Sequence, residues 1–126
     1  MVIDVAKGVE AQTEKLVEVC RMRDTPIIVF INKLDREGKD AYDLLDEVEE
    51  KLGLSVCPMS WPIGMGSDFL GVYNMWEKNL QLYTEHKKQK IGESISIEDI
   101  STPDIEEYIG SEPADTLRGE IELVSG

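Results

Sequence analysis

Residues 27–35 read Ile27-Ile28-Val29-Phe30-Ile31-Asn32-Lys33-Leu34-Asp35, an apolar run ending in a polar tetrapeptide. Five consecutive large apolar residues, four of them β-branched, suit a strand buried on both faces. That is the habit of a parallel sheet covered by helices. Upstream, Pro26 separates the strand from Glu10–Arg23, where Thr13, Leu16, Val17 and Cys20 recur at helical spacing on one face. Gly8 marks a turn before that helix, and Met1–Asp4 reads as the end of another buried strand. Downstream, Asp40–Leu52 reads as a second helix, capped by Asp40, striped by Leu44, Leu45, Val48 and Leu52, and ended by Gly53. Ser55–Ser60 reads as a short strand. Strand, helix, strand, helix, strand describes βαβ units and an α/β fold. A chain that opens inside a strand is expected to be a segment of a longer one. Its open sheet edge would favour self-association.

After Trp61 the pattern changes. Pro62, Gly64, Gly66 and Gly71 punctuate a stretch in which Phe69–Tyr73 and Leu80–Tyr83 suit an antiparallel pair. Ser94–Ile97 suits a further strand. Ser101-Thr102-Pro103-Asp104 opens a helix with Pro103 at its first position, and Ala114–Val124 reads as a last helix aligned by Leu117, Ile121 and Val124.

The 126 residues carry a formal net charge of −13, with 26 acids against 13 bases. That balance argues against a general phosphate-backbone binder. No apolar run approaches the ~18 residues of a membrane span, and the N-terminus lacks the pattern of a secretory signal. The two cysteines, Cys20 and Cys57, form neither a disulfide framework nor a metal-ligand spacing, so a reduced cytoplasmic compartment is expected. Both read as buried thiols. The acids concentrate late: residues 91–126 hold ten acids and one base, Arg118, after a basic cluster of Lys87, Lys88 and Lys90. This acidic stretch reads either as a solvated face or as a docking face for a basic partner.

The chemistry sits directly after the apolar strand. In open α/β sheets, ligands bind at the carboxyl ends of parallel strands. An Asn-Lys-x-Asp there can read guanine. The Asp35 carboxylate can accept two parallel hydrogen bonds, from guanine N1–H and its exocyclic amine, a donor pair that adenine lacks. The Asn32 amide can donate to purine N7 and brace the loop. The Lys33 stem can lie on the base face while its ammonium reaches ribose or backbone oxygens. The same residue types also suit an ordinary polar turn between strand and helix.

Other motifs are weaker. Gly64-Met65-Gly66-Ser67 lacks the Lys-Ser/Thr pair and the following helix of a phosphate loop. Asp24-Thr25-Pro26 is a helix stop. His86, the only histidine, reads as a surface residue, since one histidine builds no metal site. Trp61 and Trp76 read as core or rim packing.

Several stretches together resemble the translational GTPases. Val2-Ile3-Asp4, Ala6-Lys7-Gly8-Val9-Glu10 and Gln12-Thr13 resemble the segment after switch II in that group. Asp24-Thr25-Pro26-Ile27 and Phe30–Gly38 continue the likeness. Within the group, Leu44–Glu49, Trp61-Pro62-Ile63-Gly64, Gly71-Val72-Tyr73 and Glu120–Val124 look like the bacterial peptide-chain release factor 3 family. The resemblance implies a partial P-loop-type GTPase domain of parallel strands and covering helices, followed by a small α+β insert subdomain. Residues 1–60 would be the C-terminal part of the GTP-binding core, and 61–126 the inserted subdomain with its acidic end. It further implies GTP or GDP with Mg²⁺ as ligands of the parent protein, the ribosome and a class-I release factor as its partners, and a role in translation termination. Asn32, Lys33, Leu34 and Asp35 would hold the guanine base, with Leu34 the variable member.

The sequence departs from the family pattern. It contains no Gly-x-x-x-x-Gly-Lys-Ser/Thr, no switch I threonine and no Asp-x-x-Gly-His. Phosphoryl transfer depends on positioning and electrostatics around the phosphates. The expectation is therefore an internal segment of a G domain, without catalytic residues and inactive alone. The competing readings are a segment of an elongation factor G-like GTPase and a stand-alone acidic interaction module.

Overall fold

The parallel pairing of two short strands organises the N-terminal half, as a computed structural model describing residues 1–83 and 94–125 reveals. Strand β1 (Val2–Asp4) pairs in parallel with β2 (Phe30–Asn32), in the register Val2–Phe30, Ile3–Ile31 and Asp4–Asn32. Helix α1 (Ala11–Met22) connects them, and α2 (Ala41–Leu52) follows β2. Ile3, Val9, Val17, Val48 and Leu52 form the core, with Ile27, Val29, Ile31, Leu54 and Val56 packed against it. Both helices thus contribute to the same face of the pair. This corrects the expectation of a strand buried on both faces: Ile28 is 85% exposed and Phe30 61%. Alternate residues of a strand point to opposite sides, and within this unit α1 and α2 both pack on the side of Ile3 and Ile31.

The helix ends follow local chemistry. The Asp40 side chain accepts a 2.8 Å bond from Tyr42 N, and Gly53 leaves α2 in the left-handed region at φ 62°. In α1, Thr13 and Val17 are buried, whereas Leu16 is 51% exposed and drops out of the expected stripe. Ser55–Ser60 does not form the expected third strand of this sheet. Leu54 and Val56 pack on the core irregularly, Pro58 has no N–H for a ladder, and the next regular strand belongs to another sheet. Cys57 is exposed, not buried, because that strand is missing; Cys20 is partly buried.

The chain divides into two compact units. The first is Met1–Cys57 with Met65–Ser67; the second holds Pro58–Gly64 and the described residues from Asp68 onward. The second unit is a four-stranded antiparallel sheet in sequence order, β3 (Ser60–Ile63), β4 (Gly71–Asn74), β5 (Asn79–Leu82) and β6 (Ser94–Ser96). Trp61 faces Tyr73, and Tyr73 faces Leu80. These three residues are buried, as are Ile63, Leu82, Ile97, Ile105, Ile109, Ala114 and Leu117. Gly71 is required where it stands, since a Cβ there would overlap the backbone carbonyl of Gln81. Pro103 opens a 3-10 turn, Pro103–Ile105, that runs into α3 (Glu106–Ile109); α4 (Ser111–Ser125) closes the unit.

Arg118 has a structural use among the acids. It donates to the carbonyls of Ile100 and Thr102 and pairs with Glu106 at 2.9 Å and Asp115 at 2.8 Å. Trp61 is buried, as the sequence predicts, and its indole N–H donates to Glu120. Trp76 is not packed. It is 77% exposed in the β4–β5 turn, where the Asn74 side chain takes up the backbone N–H groups of Trp76 and Glu77. His86 and the cluster of Lys87, Lys88 and Lys90 lie outside the described residues. Among the described residues, no helix is long and apolar enough to cross a membrane.

Candidate functional site

Parallel pairing brings the carboxyl ends of β1 and β2 to one place. Asp4 stands in register with Asn32, and the loop 33–39 leaves from there. The backbone of this loop is tied at several points. Val5 N donates to Asn32 O at 3.1 Å, Arg36 N to Lys33 O at 3.0 Å, and Lys39 N to Val5 O at 3.0 Å. Gly66 N donates to Leu34 O at 2.9 Å. Gly64–Ser67 is thus not a free glycine loop: its Gly66 amide braces the Asn-Lys-x-Asp motif.

The sequence singles out four residues, Asn32, Lys33, Leu34 and Asp35. Leu34 is half-buried, while Asn32, Lys33 and Asp35 present exposed side chains. Lys33 has φ 66°. A left-handed lysine costs about 1–2 kcal/mol relative to its usual conformations, so the surrounding contacts must hold it there. The backbone bonds from Arg36 N to Lys33 O and from Val5 N to Asn32 O do so, and beyond them Lys33 Nζ lies 3.1 Å from Asp4 Oδ2. The other Asp4 oxygen accepts a 2.8 Å bond from Ala6 N. The Ala6 amide and the Lys33 ammonium hold the Asp4 carboxyl below its ordinary value.

A second clamp lies behind the loop. Glu47, from α2, accepts from Lys39 Nζ at 2.8 Å, Lys51 Nζ at 3.0 Å and Val9 N at 3.1 Å. It joins the segment after β1 to the segment after β2. Lys39 above all, then Lys51 and the Val9 amide, hold its pKa at about 2, against an ordinary 4.5. A depressed carboxylate stabilises the fold above its unfolded pKa, and that contribution is lost as pH falls from about 4.5 through about 2. Glu47→Gln is expected to cost about 2 kcal/mol near neutral pH, the scale of hydrogen bonds to a charged group. The difference from wild type should shrink to a small fraction of this near pH 2, where Glu47 is about half protonated in the fold and fully protonated when unfolded. Urea denaturation at both pH values checks this; an equal cost at both would refute the charged clamp.

Sequence reasoning missed Asp4, Glu47 and Gly66. Asp4 carried a usable signal, being the polar residue that ends an apolar strand parallel to the motif's own strand. Glu47 borders the stripe of α2, where a carboxylate needs a cation. Among the described residues, no group of three or more His, Cys, Asp or Glu is placed to hold a metal ion.

Two comparisons bear on this arrangement. A sequence profile of the family described as "Elongation factor Tu GTP binding domain" matches residues 1–117. A crystal structure of a protein from Thermus thermophilus superposes with a TM-score of 0.60 at 21% identity. The match covers 96% of this chain but only 17% of that one, so this chain spans about a sixth of its structural neighbour.

Proposed function

Because the chain belongs to the elongation factor Tu GTP binding domain family, we propose that Asn32, Lys33 and Asp35 are the guanine-reading part of a ribosomal GTPase. The observation that carries this is the motif's place at the shared carboxyl end of two parallel strands, with Lys33 and Asp35 exposed on a braced loop. Asp35 takes the two donors on guanine's edge, Lys33 lays its stem on the base face, and Asn32 meets N7 and steadies the loop. Leu34, half-buried, anchors the loop. In this reading residues 1–60 are the later part of a GTP-binding core and 61–126 an inserted subdomain. The division of the chain into two compact units supports the assignment.

The parent protein would bind GTP and GDP with Mg²⁺ and hydrolyse GTP on the ribosome, in the cytoplasm. The chain alone would be inactive, since its sequence offers no phosphate loop or switch residues. Its finer assignment is to translation termination, where the parent would remove a class-I release factor after peptide release. The likeness of Trp61-Pro62-Ile63-Gly64 to the release factor 3 family favours this over an elongation factor G-like role. The family match and the fold suit both roles. The test is a ribosome assay with the complete protein and GTP. Faster loss of a bound class-I release factor supports the termination role. Stimulated translocation without that effect assigns the elongation role.

A further inference from the structure

We propose that Asp4 is a positioning residue for guanine-nucleotide binding: its carboxylate holds the Lys33 ammonium so that the lysine stem lies ready for the base. The proposal rests on the guanine reading above and gives the ammonium a partner within the protein.

Three observations carry it. Asp4 is in register with Asn32, one residue from Lys33, so the sheet itself delivers the carboxylate to the motif. Its two oxygens have separate tasks, one bound to Ala6 N at 2.8 Å and the other 3.1 Å from Lys33 Nζ. The first bond fixes where the second oxygen points. Finally, the Lys33 backbone is fixed at φ 66° with its carbonyl accepting from Arg36 N at 3.0 Å, so the side chain leaves the loop from one set position beside Asp4.

The pair is not there chiefly for stability. The Lys33 and Asp4 side chains are 44% and 20% exposed, and solvent screens such pairs strongly. Its consequence is order. A lysine stem is flexible, and a ligand that must immobilise it binds more weakly than one that finds it in place. Freezing one such side chain corresponds to about a five- to tenfold change in affinity.

Asp4→Asn isolates the charge, because the amide oxygen can still accept from Ala6 N. In the complete protein, Asp4→Asn is expected to weaken GDP binding about five- to tenfold. Lys33→Met, which keeps a stem and removes the ammonium, should lose at least as much. The double variant should lose no more than Lys33→Met alone, because Asp4 acts through that lysine. Thermal unfolding of Asp4→Asn should match wild type. Unchanged or tighter GDP binding by Asp4→Asn overturns the proposal, as do losses that multiply in the double variant. Failure of the wild-type complete protein to bind GDP would instead overturn the guanine reading on which it rests.

Discussion

Asp35→Asn in the complete protein is expected to weaken GDP binding by on the order of 10⁴-fold, with xanthosine diphosphate becoming the preferred ligand. A carboxylate offers two acceptors to guanine's two donors. An amide offers one acceptor and one donor, so its NH₂ group meets the exocyclic amine of guanine head-on. In xanthine that amine is an oxygen, and the amide forms both bonds again. The charge of the carboxylate strengthens the original pair, which adds to the loss. Asp35 is exposed, and the loop around it is held by backbone bonds from Arg36 and Gly66, so the fold should not change. Titration with GDP and xanthosine diphosphate measures the switch. An unaltered preference for GDP would show that Asp35 does not read the base.

The largest stability effect is expected in the second unit. Leu80 is 0% exposed and sits on β5 between Tyr73 and Ile95 of the neighbouring strands. Leu80→Ala removes that buried side chain and leaves a cavity, at a cost of about 3 kcal/mol. For a unit of this size that corresponds to a midpoint lower by about 12 °C or more. Leu16→Ala provides the contrast. Leu16 is half-exposed on α1, and its truncation should cost less than about 0.5 kcal/mol. Thermal unfolding followed by circular dichroism compares the two. Similar losses from both variants would contradict the packing described for α1 and β5.

Much of this architecture is legible in the residues. Asp40, Leu44, Val48, Leu52 and Gly53 mark α2 with a cap, a stripe and a left-handed stop, and each acts as its chemistry dictates. The β4–β5 pair is similarly readable, because Gly71 and the Asn74–Asn79 turn punctuate it. What sequence could not reveal is which neighbours each strand finds. Ile27–Ile31 has the composition of a fully covered strand, yet Ile28 and Phe30 are exposed, since α1 and α2 of the same unit both pack on the other side. Ser55–Ser60 has strand composition but no ladder to join.

The candidate site divides in the same way. Asn32, Lys33 and Asp35 announce themselves through residue type and their place after an apolar run. Asp4, Gly66 and Glu47 are harder to read: Lys33 lies 29 residues from Asp4, Leu34 32 from Gly66, and Val9 38 from Glu47, although Lys39 and Lys51 stand only 8 and 4 residues from Glu47. The distant contacts exist only once parallel pairing and the return of Met65–Ser67 have brought the segments together.

The most direct measurement is calorimetric titration of the complete protein with GDP and with ADP. The account predicts micromolar binding of GDP and affinity for ADP weaker by at least about 10³-fold, because adenine lacks the donor pair that Asp35 accepts. Equal affinities, or no binding of GDP, would contradict the assignment of Asn32, Lys33 and Asp35 to guanine.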